Sequence, residues 1–172
     1  VAGLRARLSL VVGEGAALEQ AFEGVLAVAQ RTGTALESTG TLFTRIAQAG
    51  REFNLAQADA LALTEAINQA LAVSGASAAS SDAAITQLIQ GLQSGVLRGE
   101  EFNSVMEQAP RLARALADAL GVTTGELRTL AQQGALTTDV VIKALQSQRA
   151  TLEAEFNALP QTVGRAITNL ST

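Results

Sequence analysis

Glycine and proline interrupt this sequence at short intervals, and between the interruptions Leu, Ala, Val and Ile recur three and four residues apart. That spacing lines one face of an α-helix; a strand would need alternation. Helices this short are marginal alone and must bury their apolar stripes against one another. The 172 residues are enough for one domain with its own core, or for two very small ones. Aromatics make up only 3%, as five Phe with no Trp or Tyr, so Leu, Ala, Val and Ile must fill that core. An all-α fold follows, with seven or eight short helices joined by Gly/Pro turns. Residues 4–12 are the expected exception. There Leu4, Ala6, Leu8, Leu10 and Val12 alternate with Arg5, Arg7, Ser9 and Val11. That period of two predicts a strand or extended arm over 1–15, ahead of a helical domain over 16–172.

Capping chemistry places the helix ends. Helices are predicted over about 16–30 and 35–50, the second weakened by ~1 kcal/mol and bent or broken at Gly40. Asn54, with Gln57 three residues on, predicts an N-cap and a capping box. That helix would turn Ala58, Leu61, Ala62, Ile67, Leu71 and Ala72 inward and end before Gly75. Ser77 or Ser81 caps the next, which ends near Gly95. Glu100 and Glu101 suit the positive end of a helix dipole. Pro110 stops that helix and suits the first position of another, 110–120, closed by Gly121. Thr123 and Glu126 form a capping box for 124–133, closed by Gly134. A long helix from Thr137 or Thr138 to about 158 ends at Pro160, and 161–170 is expected to be helical again.

The composition excludes several chemistries. The chain has no Cys and no His. It therefore has no disulfide, no thiolate nucleophile, no Ser-His-Asp triad and no His-based metal site. No cofactor and no enzymatic turnover are expected. Of the twelve basic residues eleven are Arg, with Lys143 alone, and the net charge is −4. That balance opposes a general affinity for nucleic acid, which needs clustered cations. No stretch is long and apolar enough for a membrane span. The first residue is Val, not Met, and the chain is read as a piece of a longer one.

The central stretch, from Gln87, reads QLIQGLQSGVLRGEEFNSVMEQAPRLARALADALGVTTGELRTLAQQGALTTDVVIKAL. It resembles the N-terminal domain of phage tail tape measure proteins over roughly 35–148. Gly95, Leu97, Arg98, Gly99, Glu100 and Glu101 match the family's LRGEE block. Ala109, Pro110, Leu112, Ala113, Leu116 and Ala117 match its APxLAxxLA block. The LGVxxGELRxLAxxGxLT block is matched by Leu120, Gly121, Val122, Gly125, Glu126, Leu127, Leu130, Ala131, Gly134, Leu136 and Thr137. The long helical body that measures length in this family is absent. The resemblance implies a structural component of a bacteriophage or prophage tail, lying in the tail tube lumen and assembled in the host cytoplasm. It implies a scaffold for tube polymerisation that helps set tail length. A helix advances ~1.5 Å per residue, so its length can serve as a ruler. The implied partners are further copies of the chain and tail proteins: tail tube, tail tip or baseplate, and tail assembly chaperone. No nucleic acid is expected, and membrane contact during infection does not follow from these residues.

Leu97, Arg98, Glu100, Glu101, Ser104, Glu107, Gln108 and Arg111 are the expected contact residues, on the segment from Leu97 to Arg111. Blander readings exist for the same residues. Glu100 and Glu101 point about 100° apart on a helix, which suits a solvated helix start better than a pair of catalytic carboxylates. Gly99 can serve a turn, and Arg98 can pair with a nearby Glu. The alternative function is a DNA-binding helix-turn-helix over 111–134. Its second helix would present Thr124, Gly125, Arg128, Thr129, Gln132 and Gln133, with Arg128 the lone cation. A membrane-active module is disfavoured by the scarcity of cations beside an apolar face.

Overall fold

In the computed structural model, which describes residues 2–160, the chain forms ten α-helices and one 3-10 turn. They are α1 (Ala2–Val12), α2 (Ala16–Thr32), α3 (Leu36–Gly50), α4 (Gln57–Val73), α5 (Ala78–Ser94) and α6 (Gly99–Gln108). α7 (Pro110–Leu120), α8 (Thr124–Gln132), α9 (Thr138–Ser147) and α10 (Arg149–Asn157) follow. The expected helix over 161–170 lies outside the described residues.

Most boundaries sit where the punctuation put them. Gly33, Gly75, Gly95, Gly121 and Gly134 all take positive φ just past a helix end. Pro110 opens α7. Ser77 accepts the Ser80 amide at 3.1 Å. Thr123 and Glu126 close a reciprocal capping box, with bonds of 2.9 and 3.0 Å.

Several expectations are corrected. Residues 4–12 are helical, because positions 4, 8 and 12 of the alternating pattern also share one helix face. Leu4 and Leu8 are fully buried by that face. Asn54 is no N-cap. It takes a left-handed conformation, φ 57°, after the 3-10 turn Arg51–Phe53, a geometry its short polar side chain tolerates. Gly40 does not break α3. The missing side chain admits Leu4 instead: a Cβ there would lie 2.3 Å from Leu4 Cδ1. The long helix after Thr137 divides at Gln148 into α9 and α10, which brings the helix count above eight.

Helix α4 is the hub, packing against α2, α3, α7, α9 and α10. Its residues from Ala66 to Leu71 are buried on every side. Its register differs from the expected one: Leu63, Ala66 and Ala70 are buried with Ile67 and Leu71, whereas Ala58 is exposed. Such encirclement brings polar groups inside. Asn68 Nδ2 donates to Thr34 Oγ1 at 3.0 Å and Thr39 Oγ1 at 3.2 Å, tying α4 to α3 and the α2–α3 turn. Thr39 in turn donates to the Ala35 carbonyl. A single apolar cluster runs from Leu4 on α1 to Leu152 on α10.

Candidate interaction site

The turn between α5 and α6 is fixed by its other side. Gly95, φ 91°, ends α5. The Leu97 amide then donates to the Leu136 carbonyl at 2.8 Å, and the Thr138 amide donates to the Gly95 carbonyl at 3.0 Å. These bonds make an antiparallel bridge of Val96 with Thr137. The two motif segments GVLRGEE and GALT are thus clasped to each other. Leu97 drops into the core over Gly91, where a Cβ would lie 2.8 Å from its Cδ1 and 3.2 Å from its Cα. The Arg98 guanidinium lies beside Gly134, and Gly99 packs on Gln132.

From that clasp, α6 projects over α8. Phe102 and Val105 are fully buried beneath it. Asn103, Met106 and Glu107 of α6 face Arg128 and Gln132 of α8 across a shallow groove of about 520 Å³. Arg128 Nη2 donates toward the Met106 sulfur at 3.0 Å. Glu100 and Glu101 occupy the first turn of α6.

The expected contact residues therefore separate. Arg98, Glu100 and Glu107 are exposed, and Glu101, Ser104 and Gln108 are half-buried, all on or beside α6. Leu97 and Arg111 are corrections: both are buried and hold the fold together. The Arg111 amide donates to Ser74 Oγ at 3.0 Å. Its guanidinium grips Glu155 of α10 with both ends of the fork. Its Nη1 is buried without a hydrogen-bond partner among the described residues. Asn103 and Met106 were not among the expected contact residues, and Arg128 and Gln132 were expected only on a DNA-reading helix; the packing of α6 on α8 brings the four together.

Helices α7 and α8 do pack against each other, but two of the three cations over 111–134 are engaged within the fold, with Arg114 left exposed. Arg111 is committed to Glu155, and Arg128 leans on Met106. Glu126, at the start of the second helix, is held below the usual carboxylate range, first by the Thr123 backbone amide and then by the Thr123 hydroxyl. A phosphate would meet that negative charge at the helix end where DNA readers place donors.

A larger cleft of about 750 Å³ lies between α3, α5 and α9, lined by Arg45, Gln48, Glu52, Gln93, Asp139 and Lys143 among others. No local signal foretells it, because its walls come from three distant stretches of chain. Thr137 Oγ1 donates to Asp139 at 2.6 Å and holds that carboxyl below its ordinary pKa. Among the described residues no three His, Cys, Asp or Glu gather to hold a metal ion, and no helix is long and apolar enough to cross a membrane.

Capped helices thus pack around one hub, and a polar face lies over a small groove. The chain belongs to the tape measure protein family, whose sequence model matches residues 1–172. It is accordingly a structural component of a phage tail. No curated protein and no solved structure matched it.

Proposed function

We propose that this module acts by binding rather than turnover. It lies in the tail tube lumen, helps set tail length and assists tube assembly, having entered the particle from the host cytoplasm. Its contact face is α6 with the exposed edge of α8. Arg98, Glu100, Glu101, Ser104, Glu107 and Gln108 supply the polar rim, and Met106 supplies the apolar centre. The observation that supports this reading is the clasp of Leu97 to Leu136. It commits two backbone hydrogen bonds and a buried Leu to holding one exposed turn rigid, and preorganised surfaces lose less entropy on binding.

The test is calorimetric titration of the 172-residue chain against tail tube, tail tip and tail assembly chaperone proteins. Binding to one of them, weakened at least tenfold by Arg98→Ala with Glu107→Ala, supports the reading. Absence of binding to all three, or binding untouched by those changes, sinks it. Glu100→Gln and Glu101→Gln separate a hydrolase: the parent is expected to show no hydrolytic activity for these changes to remove.

A further inference from the structure

Helices α1 and α2 are written in one register. Leu4, Leu8, Val11, Gly15, Leu18, Phe22, Val25, Ala29 and Thr32 follow one another at alternating steps of four and three residues. That is the a/d seam of a heptad repeat, and it passes unbroken through the corner between the two helices. The corner itself is Gly13-Glu14-Gly15, with φ of 85° at Gly13 and 74° at Gly15. Only glycine takes such angles readily, and glycine takes helical angles too. Folded, the corner leaves the last carbonyls of α1 and the first amides of α2 without partners inside their own helices. Straightened, the same residues would form one helix over 2–32, about 46 Å long, with those groups paired.

The face that α1 packs on is specific. Leu4 sits over Gly40 of α3, where any side chain would collide with it. Arg5 pairs with Glu19 of α2 and stacks on Phe22 at 4.2 Å. Arg7 donates to Glu37 of α3 at 2.6 Å. Arg51 donates to the Val11 carbonyl at 3.0 Å. The arm carries two cations and no acid, and its seat supplies the carboxylates. A second copy of this chain carries the identical seat.

We propose that α1 is an exchangeable arm: the Gly13–Gly15 corner opens into a continuous helix, and α1 of one copy docks on α2 and α3 of a second. The packing and ion pairs that α1 gives up within its own chain form again between the two copies, so the exchange is governed by the corner and by concentration. This goes beyond the function proposed above by adding an association between copies of the chain, and it uses none of the residues of the α6–α8 face.

Two measurements test it on the 172-residue chain. Gly13→Ala with Gly15→Ala disfavours the corner and favours the straight helix. The expected result is a species of twice the 17.6 kDa of one copy by light scattering, its share rising several-fold over the parent. The second measurement tolerates a variant that folds poorly. Arg7→Cys and Glu37→Cys single variants are mixed, incubated and treated with a bifunctional maleimide, the chain having no other Cys. A cross-linked pair of one R7C and one E37C chain is expected, and the doubly substituted chain alone reports the seated arm. A monomer in both measurements, or a dimer that yields no R7C–E37C link, overturns the exchange. Tail-protein binding in the titration above would survive either result.

Discussion

Arg111 on α7 and Glu155 on α10 meet end to end, with Nε 2.6 Å from Oε1 and Nη2 2.9 Å from Oε2. The Arg side chain is almost wholly enclosed, while about a third of the Glu remains in solvent. Arg111→Ala should therefore lower stability by about 1–3 kcal/mol, less than for a fully enclosed pair, because Glu155 can rehydrate. Arg111→Met, which keeps the packing of the stem, should lose less. Urea denaturation of both variants measures the difference.

The same pair carries a pH dependence. The hydrogen bond from Arg111 is the main cause that holds the Glu155 carboxyl below its ordinary value, with the charge of Arg114 adding to it. A pKa lower in the folded state means that the ionised form stabilises the fold. That stability is complete above the ordinary carboxylate range and is lost as pH falls through the lower, folded value. Glu155→Gln should remove this part of the acid sensitivity and leave the rest, since Glu37, Glu126 and Asp139 are shifted the same way. Denaturation midpoints of parent and variant should converge as the pH is lowered. A constant gap would contradict the assignment.

Two glycines inside helices should respond oppositely to alanine. At Gly125 a Cβ meets nothing nearer than Thr123 Oγ1 at 3.8 Å, so Gly125→Ala should stabilise by about 0.5–1 kcal/mol through helix propensity. At Gly40 the collision with Leu4 outweighs that gain, and Gly40→Ala should destabilise by about 1–3 kcal/mol. Leu4→Ala in the Gly40→Ala background should cost less than Leu4→Ala alone, as a double-mutant cycle would show.

Thr123→Ala removes the side-chain acceptor for the Glu126 amide and should cost about 1 kcal/mol. Its thermal midpoint should fall, and amide exchange should speed up at the start of α8 in particular. Uniform exchange along the chain would show that the cap is not acting locally.

The parts of the fold legible in the sequence are those decided within a few residues. Gly121, Gly134, Pro110 and the Thr123–Glu126 box act on the backbone beside them, so their chemistry announces the helix ends. The parts that were not legible are decided at a distance. Period two and period four share Leu4, Leu8 and Val12, and only burial against α2 and α3 chooses helix for α1. The division of α9 from α10 at Gln148 carries neither Gly nor Pro to announce it. The register of α4 could not be read because neighbours surround its residues from Ala66 to Leu71 and no polar face marks the outside there. In the segment from Leu97 to Arg111, the position of Arg98, Glu100 and Glu107 on an exposed turn and helix was readable from the capping pattern. The inward turn of Arg111 was not, since its partner Glu155 lies far along the chain, and the inward turn of Leu97 depends on the absent side chain of Gly91.

Helix α4 receives neighbours from both halves of the chain, with α2 and α3 on one side of it in sequence and α7, α9 and α10 on the other. Loss of that one helix should therefore unseat helices from both halves of the chain at once. Such a body should yield abruptly, as a bead does on a string, and not stretch gradually.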